Sequence, residues 1–139
     1  MADSHPIWRR PQVTLWVRLH DARLAEFYDH LLLEPKATGE DWQPMADLVR
    51  MLRTLEGAIR LFGFISNRRL YVTTASRYVD SAGHHSVSIA WQPHLKFWCL
   101  GYGSLDHGLG TEADEEVSAP EETMPPTLQR MLQRLLAEP

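Results

Sequence analysis

The chain has 139 residues, enough for one domain that buries roughly two-thirds of its unfolded surface without a disulfide or a structural metal. At 44% hydrophobic and 23% charged it is neither disordered nor membrane-spanning, its longest aliphatic run being Leu31-Leu32-Leu33. A net charge of −4 argues against a general nucleic-acid binder.

The elements follow in chain order. Over 12–19, Val13, Leu15, Val17 and Leu19 alternate with Thr14, Trp16 and Arg18, the period of a half-buried strand. Asp21 stands where a helix N-cap accepts an orphan backbone N–H. Leu24, Phe27, Tyr28, Leu31 and Leu32 then recur at helical spacing until Pro35. After a loop over 36–43, Pro44 opens a second helix with Met45, Leu48, Val49, Leu52 and Leu55 as its apolar stripe and Gly57 as its C-cap.

From 58 to 103 the period changes to two. Four strands are expected at about 58–66, 69–79, 86–92 and 94–102, with turns at 66–68 (Asn67 left-handed), at 80–83 and at Pro93. Such short connections imply an antiparallel meander. Residues 104–123 read as an acidic loop, and Pro125 and Pro126 open a last helix carrying Leu128, Met131, Leu132 and Leu135. The expected fold is a single α+β domain over 1–139: about five antiparallel strands and three helices in the order β-α-α-β-β-β-β-α, helices mainly on one face.

Charge is uneven. From 104 onward eight acids stand against two bases, so the remainder is slightly basic. The acidic stretch is a solvated loop, or it rests on the protein's own basic face, repels polyanions from that face, or steers the protein onto a basic partner. Cys99, the single cysteine, cannot form an internal disulfide, and the N-terminus has no basic-then-apolar leader pattern. Both point to a cytoplasmic protein.

The most informative feature is the inequality of the two sheet faces. One set is core-like: Ile59, Leu61, Ile65, Leu70, Val72, Val87, Ile89, Trp91, Leu95, Phe97 and Cys99, beside the apolar side of the first strand. The other mixes rings with cations and hydroxyls. From it Trp16, Arg18, Arg60, Phe62, Phe64, Tyr71, His94, Lys96, Trp98 and Tyr102 are the candidate ligand- or partner-binding residues. Aromatics beside Arg, Lys and His compose interface centres, and an exposed patch of them marks recognition unless the chain folds across it.

Candidate chemistry is thin. A zinc site would draw on His85, His94, His107 and Asp106, but no pair has metal-ligand spacing, so no metal and no cofactor is expected. Cys99 reads as a structural thiol. Neither a nucleophile elbow nor a P-loop is present, and no acid interrupts a strand.

The leading expectation is a non-catalytic interaction domain whose partner is another protein or a second copy of itself. An inhibitor of the kind that bacterial immunity proteins represent would fit the acidity. The alternatives are a small-molecule domain with a pocket among Trp16, Phe62, Phe64, Tyr71 and Trp98, or a small enzyme using His94 or His107 as base.

Overall fold

A computed structural model describes residues 13–33, 41–66, 68–77, 83–105 and 115–137. The chain runs β1 (Val13–Arg18), α1 (Ala22–Leu33), α2 (Gln43–Leu52), a short 3-10 turn (Ala58–Arg60), β2 (Phe62–Ser66), β3 (Arg69–Thr73), β4 (His85–Gln92), β5 (Phe97–Ser104), β6 (Glu115–Ala119) and α3 (Met124–Leu136). The strands form one antiparallel sheet in chain order, β1 to β6. This is the expected α+β meander with one strand more. That strand, β6, lies inside the stretch read as an acidic loop. Of the rest of that stretch, 106–114 lie outside the described residues.

Local chemistry sets the helix ends. The Asp21 carboxylate accepts the Arg23 backbone N–H at 2.9 Å, the expected cap of α1. Asp41 does the same for Gln43 at the start of α2, at 3.0 Å, and Pro44 sits in that first turn. Gly57 adopts φ 88, which a residue with a Cβ rarely tolerates. It opens the 3-10 turn over 58–60, where strand had been expected. Ile59 consequently lies 70% exposed and is not a core residue. In the β2–β3 turn Arg68 has φ 64, while Asn67 lies outside the described residues.

One large cluster joins the buried residues of all three helices to one set of strand side chains. Leu24 and Tyr28 of α1, Met45 and Val49 of α2, and Leu128 and Leu132 of α3 share it with Ile65, Val72, Ile89 and Leu100. Helix α3 lies against β4 and β5, and α1 against β1. The approach of α1 is close: a Cβ on Gly63 would stand 2.7 Å from Leu24 Cδ1. Each buried aliphatic side chain contributes roughly 1.5–3 kcal/mol. Tyr28 keeps its hydroxyl satisfied by donating to the Arg68 carbonyl at 3.1 Å, and burial pushes its phenol above the ordinary range. A second, small cluster holds Phe64, Tyr71, Ala75 and Leu105, with Trp16 packed on it; no helix residue belongs to it.

Candidate interaction face

The register places alternate residues of each strand on the side of the second cluster. Trp16 pairs with Phe64, Arg18 with Phe62, Phe64 with Tyr71, and Tyr71 with Ser88. Ser88 in turn pairs with Gly101, Ala90 with Cys99, and Cys99 with Ser118 of β6. The face therefore changes character across the sheet, from rings on β1–β3 to short side chains on β4–β6.

The rings form a continuous stack. Trp16 lies 4.1 Å from Phe64, centroid to centroid, and Phe64 lies 4.9 Å from Tyr71 with planes 3° apart. The Trp16 indole donates to the Ala75 carbonyl at 2.9 Å, which brings the segment after β3 across the stack. That segment is braced by Thr73, whose hydroxyl donates to the His85 carbonyl and accepts the Ala75 N–H. Phe64 is fully buried and Tyr71 nearly so. These two rings are a small core sealed by the chain itself, not an open platform.

What stays accessible lies on either side of the stack. Arg18 is exposed, with its guanidinium 5.3 Å above the half-buried Phe62 ring and donating to the Ile59 carbonyl at 3.4 Å. On the far side, Ser88, Gln92, Phe97 and Cys99 are half-buried, while Glu116 and Ser118 are exposed. The Gln92 amide points at the Cys99 sulfur at 3.9 Å.

The remaining expected site residues lie elsewhere. Trp98 and Tyr102 belong to the large helix-side cluster. Arg60 sits on the 3-10 turn and donates to the Leu136 carbonyl at 3.3 Å. His94 and Lys96 are exposed in the β4–β5 turn, where Lys96 takes φ 55. The error is one residue of phase in β5. The strand starts at Phe97, not 94, so Trp98, Leu100 and Tyr102 point to the large core and Phe97 and Cys99 point away, while Leu95 sits in the turn and is 69% exposed. Two rings and a leucine bury more apolar area than Phe97, Cys99 and Gly101, and that decides the phase. The pocket imagined among Trp16, Phe62, Phe64, Tyr71 and Trp98 therefore does not exist as a set, because Trp98 is across the sheet from the others.

Sequence reasoning overlooked the β6 contribution. The signal was present as Val117 and Ala119 alternating with Glu116 and Ser118, masked by the surrounding acids. Glu115 faces the helix side and is claimed there. Arg130 holds it in a bidentate pair at 3.1 and 2.8 Å, and Arg134 approaches to 3.6 Å. These hydrogen bonds keep the Glu115 carboxyl below the usual range. Arg134 also lies 4.0 Å over the Tyr102 ring, on which His85 stacks at 5.3 Å.

Among the described residues, no group of three His, Cys, Asp or Glu is placed to hold a metal ion, and no helix is long and apolar enough to cross a membrane. Asp106 and His107 lie outside the described residues. Comparison with protein-family models, with curated proteins and with solved structures finds no match.

Proposed function

We propose that this chain is a non-catalytic binding domain that meets another protein through the sheet face carrying Arg18, Phe62, Ser88 and Ser118. The observation that supports this is the division of the sheet. All three helices contribute to one cluster, and the other face keeps an accessible arginine–phenylalanine pair beside a lane of short side chains. Arginine and aromatic rings are the residues interfaces concentrate at their centres. The short side chains of Ser88, Gly101, Cys99 and Ser118 let a partner's backbone approach closely between Phe97 and Glu116.

An inhibitor-type partner relation refines this reading. The chain is net acidic, and Glu116 stands exposed on the same face as Ser118. Glu115 is not available to a basic partner, because Arg130 and Arg134 already neutralise it. Among the described residues, Glu116 is the exposed acid this face offers a basic partner, an attraction that weakens as salt screens it.

The test is affinity capture from the source organism with mass spectrometry, run in parallel on wild type, Arg18→Glu, Ser88→Arg and the turn variant Leu95→Glu. One partner retained by wild type and Leu95→Glu, and lost by both face variants, supports the proposal. A partner that stays on Arg18→Glu and Ser88→Arg, or binding unchanged between about 50 and about 500 mM salt, overturns it.

A further inference from the structure

The two ends of the sheet are guarded differently. Among the described residues β1 has β2 as its one strand neighbour and β6 has β5, so both are edge strands. Folded chains blunt such edges, because an open row of N–H and C=O groups recruits other strands. β1 is blunted: its register with β2 shifts between Val13 and Trp16, and the strand ends on the exposed Arg18. β6 is not. It pairs with β5 residue for residue from Glu115 to Ala119, without a bulge, a proline or a lysine. Of its two acids, Glu115 is neutralised by Arg130 and Arg134, which leaves Glu116 as the exposed charge of the strand.

We propose that β6 is the self-association edge of this protein: two copies pair β6 with β6, antiparallel, about a two-fold axis through Val117, joining their sheets end to end. The strand is complementary to itself in that register. A two-fold axis perpendicular to the sheet keeps the helix side of one copy with the helix side of the other. On that side Val117 meets its own copy, and Glu115 meets the second copy's Ala119. On the far side Glu116 meets the second copy's Ser118, both exposed in the single chain. No acid stands opposite an acid, and the serine hydroxyl can donate to the carboxylate, twice by symmetry. Val117, half-buried against the large core, gains the cover that it lacks in one copy.

The helices leave room for this pairing. α3 lies against β4 and β5, not over β6. With strands about 4.8 Å apart, its axis stands roughly 10 Å from the two-fold axis, so the two copies of α3 are roughly 19 Å apart and do not collide. The Glu115–Arg130 pair of each copy stands in the gap between them. The contact is small. Five residues make an edge about 17 Å long, and with the arginine flank of α3 the buried area is on the order of 1,000 Å² in total, the low end for a specific interface. The dimer is therefore weak, with a Kd of about 10–100 µM. The proposal does not rest on the partner-binding face, although pairing at β6 would set two such faces side by side.

Sedimentation velocity on the purified whole chain, from about 1 to about 500 µM, reads the equilibrium. Wild type is expected to pass from monomer to dimer over that range. The register is tested by charge at position 118, which is exposed and open to substitution without loss of the fold. Ser118→Lys sets an ammonium opposite Glu116 of the other copy and should tighten the dimer about tenfold over its two symmetric pairs; Ser118→Glu sets like charges opposite and should weaken it about tenfold. Glu116→Lys combined with Ser118→Glu restores opposite charges and should recover at least the wild-type Kd. A chain that stays monomeric at about 500 µM overturns the proposal. So do equal Kd values for Ser118→Lys and Ser118→Glu, or a double variant as weak as Ser118→Glu, since either places the contact elsewhere. No second protein is present, so failure here leaves the proposed partner face standing, and loss of that face leaves the dimer.

Discussion

Gly63 is the position at which the packing of α1 on the sheet is most open to test. It lies mid-strand in β2 with no left-handed backbone, so alanine there meets no conformational penalty. On backbone entropy alone, Gly63→Ala should stabilise by roughly 0.5–1 kcal/mol. The structure predicts the opposite sign. The added methyl would stand 2.7 Å from Leu24 Cδ1, 3.4 Å from Leu19 Cδ1 and 3.6 Å from Leu70 Cδ1. Ordinary carbon–carbon contact is about 3.5–4.0 Å, so Leu24 must retreat by about 1 Å. The atom in the way is the end of a flexible side chain, but Leu24, Leu19 and Leu70 are all fully buried and leave it nowhere easy to go. Overpacking of this kind costs about 1–3 kcal/mol. Set against the entropic gain, the net loss should be about 1 kcal/mol, a fall in Tm of about 2–6 °C.

A double-mutant cycle separates this clash from any general effect of the substitution. Leu24→Val removes the δ-carbon that the new methyl meets, and alone should cost about 1 kcal/mol. If α1 packs where the structure places it, Gly63→Ala adds little or nothing on the Leu24→Val background, a coupling of about 1 kcal/mol. Urea unfolding followed by circular dichroism measures all four proteins. Additivity within about 0.3–0.5 kcal/mol, or a Gly63→Ala protein more stable than wild type, would refute the close approach of α1 to β2.

The two rings of β2 should behave unlike each other. Phe64→Ala, which empties the centre of the sealed stack, should cost about 3–5 kcal/mol in urea unfolding, while Phe62→Ala, under the Arg18 guanidinium, should cost less than half of that. Asp21 carries a carboxyl lowered to about 2 by hydrogen bonds from the Arg23 side chain and backbone. Its folded value is depressed, so its contribution is present above the unfolded value near 3.8 and is lost as pH falls towards 2. The acid limb of the stability–pH curve should flatten over that interval in Asp21→Asn. Glu115→Gln should release β6 from α3: amide exchange should quicken at Val117 and Ala119 while β3 and β4 are unaffected. Because these charges are half in water, global stability should fall by no more than about 1 kcal/mol.

Much of the fold is legible because its elements obey one period each. α2 and α3 carry clean stripes, and β2, β3 and β4 alternate rings or hydroxyls with aliphatics, so their register follows from hydrophobicity alone. The sequence misleads where a local choice depends on neighbours far along the chain. In β5 both alternating sets are apolar, so the phase is decided by the interior that α3 and β4 create, not by any polar residue in the strand. β6 is hidden for a related reason. Glu115 looks solvated until Arg130 and Arg134 are seen to face it from a helix 15 and 19 residues further on.

The same dependence explains why half of the expected site dispersed. Rings and cations were grouped by strand parity, and parity carries no information about coverage. Phe64 and Tyr71 have the right parity for the far face yet are sealed, because Thr73 turns the chain after β3 back over them and Trp16 fastens Ala75. Arg18 and Phe62, two register pairs further along, have the same parity and stay accessible because that segment is fastened at Trp16. Two residues of displacement along a strand thus separate a packing role from a recognition role. That is why Arg18→Glu, and not a change in the ring stack, is the informative variant for the proposed partner face: it removes the cation without opening the small core beneath.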